Sequence, residues 1–181
     1  MTWRTVSSKL VYRNQWISVR EDQVVRPDGT PGLYGVVETT PSVFIVALSA
    51  ADEVLLVTQD RYPTGTASVE VPAGNAGHED PLAAAQRELQ EETGYVAASW
   101  TPIGALESMN GICTELQHVF LARELTYAGG DAQAEDGITA AGFVPLDEVL
   151  ERIRSGAITD GQSVSSLLLA LLTLDRVSVD R

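Results

Sequence analysis

The chain has 181 residues, which is the length of one domain with a hydrophobic core and a small terminal appendage. Hydrophobic residues make up 44% of it and charged residues 20%, a composition typical of folded globular proteins that excludes disordered and fibrous classes. The 25 acidic and 12 basic residues give a net charge of −13, which argues against a nucleic-acid polymer as partner but not against a small phosphate bridged by divalent cations.

The apolar runs in the chain are short. None approaches the ~18–20 consecutive apolar residues of a transmembrane helix. The first residues also lack the basic-then-apolar pattern of a secretory signal. The one cysteine, Cys113, cannot form a disulfide framework. We therefore expect a cytoplasmic protein without membrane association.

The first forty residues predict antiparallel strands. Residues 16–25 are rich in β-branched side chains, Pro27-Asp28-Gly29 predicts a turn, and residues 33–39 resume the strand pattern. A small hairpin sheet is marginal in water, so we expect it to pack on a second copy of the chain in a homodimer.

The middle of the chain predicts a central sheet. Residues 42–48 are almost continuously apolar and residues 54–58 follow after a short polar turn, which is typical of a buried hairpin. Three later segments also have strand patterns, namely 101–106, 117–122 and 138–144. An acidic, glycine-rich loop is expected over residues 129–137.

Helices are predicted in three places. Asp80 is a suitable N-cap, Pro81 a suitable first residue and Gly94 a suitable stop for the first helix. Residues 146–154 and 162–174 predict two more. Strands and helices mixed in this order indicate an α/β sandwich.

The first helix carries three acidic residues close together. Glu88, Glu91 and Glu92 stand at i, i+3 and i+4, where like charges repel by about 0.2–0.5 kcal/mol per pair. A Mg²⁺ ion would offset this repulsion, because it prefers carboxylate oxygens and bridges to phosphates. A solvated acidic helix face is the alternative that charge alone leaves open.

The order of these residues resembles the Nudix box of nucleoside-diphosphate-X hydrolases. The matching segments are Glu70–Gly74, Glu79 and Arg87–Tyr95, and the second half of the box matches without exception. Four residues separate Gly74 from Glu79 where the family has five. The resemblance implies a Nudix-type α/β/α sandwich with a mixed central sheet, and we expect an additional N-terminal antiparallel sheet. The corresponding domains are residues 1–40 and 41–181.

Flanking segments are similar to those of the ADP-ribose pyrophosphatase branch. They are residues 59–63, 118–122 and 143–146. This resemblance implies hydrolysis of the pyrophosphate bond of ADP-ribose or another nucleotide sugar, giving a nucleoside monophosphate and a sugar phosphate. The implied cofactor is Mg²⁺, for which Mn²⁺ is able to substitute, and the partner is a small-molecule nucleotide.

The resemblance also implies roles for individual residues. The metal ligands would be Glu88, Glu91, Glu92 and the carbonyl of Ala73, and the loop that is one residue short affects the contact of Ala73 with the metal. Glu79 and Arg87 would form a structural pair. Arg61, Tyr62, Glu70 and Glu115 would contact the substrate. Glu135 or Asp136 would act as the general base.

Two other functions stay open. A hydrolase that removes non-standard nucleoside triphosphates shares the box, but such chains are often shorter and lack the N-terminal strands. A catalytically silent nucleotide-binding module would keep the fold, because fold alone does not determine function. Degenerate members usually lose a metal carboxylate, whereas Glu88, Glu91 and Glu92 are all present here.

Overall fold

A computed structural model describes residues 2–129 and 137–177. Backbone contacts divide the chain into two compact units. The N-terminal unit comprises residues 1–41 and 107–116, and the second unit comprises residues 42–106 and 117–181. Within the described residues, no helix has both the length and the apolar character needed to cross a membrane.

The N-terminal unit is built on an antiparallel meander. Its strands are β1 (Arg4–Arg13), β2 (Ser18–Val25) and β3 (Pro31–Glu38), in the order β1-β2-β3. The turn between β2 and β3 is closed by the Asp28 carboxylate, which accepts a hydrogen bond from the Thr30 amide at 2.9 Å. The antiparallel N-terminal sheet predicted from the sequence is therefore present, with β1 as a strand that the sequence pattern did not single out.

Residues 107–116 join this unit through β3. The Val37 amide donates to the Ile112 carbonyl at 2.8 Å, and the Thr114 amide donates to the Val37 carbonyl at 3.0 Å. These bonds create a parallel bridge between Val37 and Cys113. The predicted N-terminal domain, residues 1–40, did not include residues 107–116. These residues are distant in sequence, and a long-range backbone pairing holds them to the unit.

The second unit contains two sheets. Its strands are β4 (Ser42–Ala47), β5 (Glu53–Arg61), β6 (Thr66–Glu70), β7 (Ala73–Asn75), β8 (Tyr95–Glu107), β9 (Leu116–Tyr127) and β10 (Ile138–Pro145). One sheet has the order β10-β5-β6 and is antiparallel. The other has the order β7-β4-β9-β8 and is mixed, since β4 runs antiparallel to β7 and parallel to β9.

Three helices pack on these sheets, namely α1 (Pro81–Thr93), α2 (Leu146–Arg154) and α3 (Gly161–Thr173). Helix α1 begins where predicted, because the Asp80 carboxylate accepts hydrogen bonds from the amides of Leu82 and Ala83. It ends at Gly94, whose φ of 75° is left-handed and therefore favours glycine.

Strand β4 separates two hydrophobic clusters. Its even-numbered side chains, such as Phe44 and Val46, pack with Leu167 and Leu171 of α3. Its odd-numbered side chains, such as Ile45, pack in the cluster that contains Ala84, Ala85 and Leu89 of α1. Successive side chains of a strand point to opposite faces, so a strand covered on both faces must be apolar throughout. The second unit is an α/β/α sandwich, as predicted.

Candidate active site

Two carboxylates of helix α1 face residues 71–74, a segment that bends at Pro72, leads into strand β7 and is here called the turn. The Glu92 carboxylate accepts a hydrogen bond from the Ala73 amide at 2.9 Å, and Glu92 is only 4% exposed. The Glu88 carboxylate lies against the α-carbon of Gly74, so closely that a Cβ added at Gly74 would collide with it. Glu88 and Glu92 are four residues apart, so they project from the same side of the helix. The structure thus brings them together at consecutive residues of β7.

Arg87 holds the other acidic groups around the box. Its Nη1 lies 2.8 Å from a carboxylate oxygen of Glu91 and 2.9 Å from one of Glu88, while its Nε lies 3.3 Å from Glu79. It also donates to the carbonyl of Asn75 at 3.4 Å. Burial lowers the pKa of Arg87, but the hydrogen bonds and charges of Glu91 and Glu88 outweigh this and raise it overall. Arg87 is therefore a permanent cation that joins the helix to the preceding loop.

Glu91 occupies a different environment from its two neighbours. Its side chain is 44% exposed, and its carboxylate binds Arg87 one helical turn away. The sequence spacing placed Glu88, Glu91 and Glu92 on one face, whereas the structure directs Glu88 and Glu92 to the turn and leaves Glu91 beside Arg87.

A second ion pair lies next to this group. Arg61, at the end of β5, binds the buried carboxylate of Glu70 through two hydrogen bonds, with Nε at 2.9 Å and Nη2 at 2.5 Å. The hydrogen bonds to Glu70 raise the pKa of Arg61 despite the opposing effect of burial, and the charges of Asp160 and Glu92 raise it further. Glu70 precedes Ala73 by three residues, so the pair lies close in the chain to the amide that binds Glu92.

Arg61 and Glu70 border a cleft of about 390 Å³. The first turn of α3 forms its other side, with Asp160, Gly161 and Gln162. No local sequence signal indicates that Asp160, which is so distant from Arg61 in sequence, would share a cleft with it. The lining combines this guanidinium and several hydroxyl groups, which can donate hydrogen bonds to phosphate oxygens, with the carboxylates of Glu70 and Asp160.

The remaining candidate residues lie elsewhere. Tyr62 is 98% exposed at the hairpin tip and does not line the cleft. Glu115 is half-buried in the segment that belongs to the N-terminal unit. Glu135 and Asp136 fall outside the described residues.

The donor set suits a hard divalent cation. Glu88 and Glu92 meet at a turn whose carbonyls are further oxygen donors, and oxygen is the ligand that Mg²⁺ and Mn²⁺ prefer. Over residues 2–129 and 137–177, no three His, Cys, Asp or Glu side chains already stand at ligating distances from one point. Glu88 and Glu91 pair with Arg87, and Glu92 accepts a hydrogen bond from the Ala73 amide.

Comparison with known proteins identifies the family. Residues 38–164 match the model of the NUDIX domain, and residues 3–37 match that of the nucleoside diphosphate sugar hydrolase N-terminal domain. The chain belongs to the Nudix family. It is a Nudix hydrolase, and enzymes of this family act on nucleoside diphosphate derivatives and generally depend on divalent metal ions.

Individual Nudix relatives cover most of the chain. The ADP-ribose pyrophosphatase of Mycobacterium tuberculosis (strain ATCC 25618 / H37Rv) is 31% identical over 169 residues, which cover 92% of this chain and 82% of the relative. The ADP-ribose pyrophosphatase of Bacillus subtilis (strain 168) is 29% identical over 166 residues, covering 91% and 90%. A crystal structure of an ADP compounds hydrolase superposes over 98% of both chains with a TM-score of 0.85, at 20% identity, which supports the same Nudix fold.

Proposed function

We propose that this Nudix hydrolase cleaves the pyrophosphate bond of an ADP-sugar such as ADP-ribose, giving AMP and a sugar phosphate, with Mg²⁺ as its cofactor and Mn²⁺ as a substitute. The observation that carries the proposal is the convergence of Glu88 and Glu92 on the Ala73–Gly74 turn. The match of residues 3–37 to a nucleoside diphosphate sugar hydrolase domain, and the relatives named ADP-ribose pyrophosphatases, favour a nucleotide sugar.

The metal ligands would be Glu88, Glu92 and the carbonyl of Ala73, with Glu91 as a further carboxylate. A bound divalent ion would supply charge neutralisation and a water of lowered pKa. The role of Glu88 and Glu92 is to hold that ion at one end of the sheet, and Arg87 keeps the loop from Asn75 to Glu79 against the helix. No covalent bond to the enzyme is needed in this scheme.

The cleft beside the carboxylates would take the substrate. Glu70 holds the Arg61 guanidinium in one plane through two hydrogen bonds, and a guanidinium held in this way is pre-organised to bind phosphate oxygens. Tyr62, which lies outside the cleft lining, would stack on the base, and Glu115 would contact the substrate, as the family resemblance implies. Glu135 or Asp136 would remove a proton from the attacking water, as the family resemblance implies.

Hydrolysis of a nucleoside triphosphate is the second candidate function, because the same metal-binding carboxylates would serve it. A silent binding module is disfavoured because Glu88, Glu91 and Glu92 are retained. A panel of ADP-ribose, other nucleotide sugars, dinucleoside polyphosphates and nucleoside triphosphates, with products identified by mass, distinguishes these functions. We expect the highest kcat/KM for an ADP-sugar and AMP as the nucleotide product. No turnover is expected in excess EDTA.

Three results of the panel would contradict the proposal in different ways. A triphosphate preferred over every nucleotide sugar would refute the substrate and leave the family assignment intact. Full turnover in EDTA would refute the role of the carboxylates. Tight nucleotide binding without any product would favour the binding module.

We also propose that the chain forms a homodimer through its N-terminal sheet. Every residue of β1 is exposed. The exposed large apolar side chains of this sheet and its flanks are Trp3, Val6, Leu10, Val11, Tyr12, Trp16 and Leu33. So many exposed apolar groups on one small sheet are typical of an interaction surface. A second copy of the same surface is the partner that the chain itself provides.

Light scattering at micromolar concentration is therefore expected to give twice the monomer mass of 19.4 kDa. Leu10→Asp places a charge on β1 and is expected to yield monomers, because an interface cannot bury an unpaired carboxylate cheaply. Thr101→Asp, at an exposed polar position of β8, is the control and should stay dimeric. A wild-type protein of monomer mass would refute the assembly.

A further inference from the structure

Three polar side chains are almost completely buried where β9 begins and α3 starts. Gln117 is 1% exposed, and Ser163 and Ser166 are both 0% exposed. Burying a polar group is unfavourable unless its hydrogen bonds are made inside the protein. The hydrogen-bond partners of these three side chains therefore show which parts of the core they join.

Ser163 and Ser166 bind different parts of the molecule. The Ser166 hydroxyl accepts a hydrogen bond from the Gln117 side chain at 2.7 Å and donates to the Gln162 carbonyl at 2.8 Å, which ties α3 to β9. The Ser163 hydroxyl accepts a hydrogen bond from the backbone amide of Val71 at 3.1 Å. Ser163 therefore ties α3 to the segment between Glu70 and Ala73.

Strand pairing holds both ends of this segment, since Glu70 pairs with Val57 and Ala73 pairs with Phe44. Pro72 lacks an amide hydrogen, and its carbonyl accepts a hydrogen bond from the Ile45 amide at 2.9 Å. The Val71 amide is buried and points to Ser163. On one side of this anchor Glu70 binds Arg61, and two residues later the Ala73 amide binds Glu92.

We propose that Ser163 is a positioning residue for the metal-binding turn. By holding the Val71 amide, it sets where the Ala73 carbonyl and the Glu92 carboxylate meet. Its own position is defined in turn by Asp160, whose carboxylate accepts a hydrogen bond from the Ser163 amide at 2.7 Å. This inference rests on the proposed function, because it assigns Ser163 a role toward the metal site.

The test compares Ser163→Ala with Ser166→Ala. The two variants remove the same atom from the same helix at the same burial, so their thermal unfolding midpoints should fall by similar amounts. Of the two variants, Ser163→Ala is the one that removes a hydrogen bond to the turn. Mn²⁺ binding to the substrate-free protein, followed by electron paramagnetic resonance, is expected to weaken about ten-fold in Ser163→Ala, the lower end of the range for loss of groups that orient metal ligands. In Ser166→Ala the Mn²⁺ affinity should stay within about two-fold of the wild type, because the hydrogen bonds of Ser166 go to Gln117 and Gln162 and not to residues that orient metal ligands.

Kinetics provide a second measurement. The Mg²⁺ concentration for half-maximal activity should rise in Ser163→Ala, and the KM for the nucleotide at saturating Mg²⁺ should change little. If Ser163→Ala does not fold, Ser163→Cys and Ser166→Cys repeat the comparison, because a thiol is a weak acceptor of similar size.

The outcomes separate this inference from the proposed function. Wild-type protein that binds Mn²⁺, together with equal Mn²⁺ affinities in the Ser163 and Ser166 variants, overturns the positioning role alone. Wild-type protein that binds neither Mn²⁺ nor Mg²⁺ overturns the proposed function and the positioning role with it.

Discussion

Glu92→Gln is expected to lower kcat about 1000-fold while leaving the fold intact. A metal ion contributes several kcal/mol of charge stabilisation, and about 1.4 kcal/mol corresponds to a factor of ten in rate. Glutamine has nearly the shape of glutamate, and its side-chain carbonyl can still accept the hydrogen bond from the Ala73 amide. Steady-state kinetics at saturating Mg²⁺, together with thermal unfolding, measure the two effects.

The control for Glu92→Gln is Glu148→Gln on helix α2. Glu148 is an exposed carboxylate paired with Arg152 at i, i+4, and its substitution should leave kcat within about two-fold of the wild type, because exposed pairs of this kind contribute little. A Glu92→Gln enzyme with wild-type kcat would mean that this carboxylate is not a metal ligand. Glu88→Gln should resemble Glu92→Gln, since both carboxylates face the same turn.

Gly74→Ala is expected to lower kcat/KM about 100-fold, the loss that a displacement of about 1 Å in a reacting geometry can cause. A methyl group on Gly74 would occupy the position of the Glu88 carboxylate, and the end of a glutamate side chain can move away without unfolding the protein. Glu88 would then no longer meet Glu92 at the turn. Enzyme assays over a range of Mg²⁺ concentrations should show both weaker metal activation and a lower maximum.

Gly142→Ala provides the matched control. Gly142 also lies in a strand, β10, and no heavy atom lies within 4 Å of an added Cβ. Its substitution should leave activity unchanged. If Gly74→Ala kept full activity, the position of the Glu88 carboxylate against Gly74 would have no role in catalysis.

The sequence could predict those features that depend on neighbours in the chain. Asp80, Pro81 and Gly94 determine the limits of α1 through caps that involve only adjacent residues. The apolar runs of β4 and β5 predicted two buried strands for the same reason, but the predicted hairpin is wrong: the two strands lie in different sheets, joined by an isolated bridge between Leu48 and Val54. That the α1 carboxylates bind metal stays a prediction, which rests on a contiguous box with fixed spacing.

The sequence could not predict features that depend on distant residues. Strand β7 has three residues, one of them glycine, and it exists because β4 pairs with it. Helical spacing shows which face Glu91 lies on, but not that Arg87 would bind its carboxylate. The contact of Ser163 with the Val71 amide joins segments whose meeting requires the whole second unit to have assembled.

The position of β4 between β7 and β9 has a consequence for synthesis on the ribosome. Ser42 of β4 pairs with Gln117 of β9. The edge of β4 that pairs with β9 therefore has no partner until α1, β8 and β9 have been synthesised. The even-numbered side chains of β4 pack with Leu167 and Leu171 of α3, which are synthesised later still. The β1–β3 meander, in contrast, needs only neighbouring segments. Non-local pairing slows folding and exposes apolar strands to aggregation. The nascent chain therefore exposes the apolar strand β4 until late in synthesis, and early chain termination within α3 should yield insoluble protein.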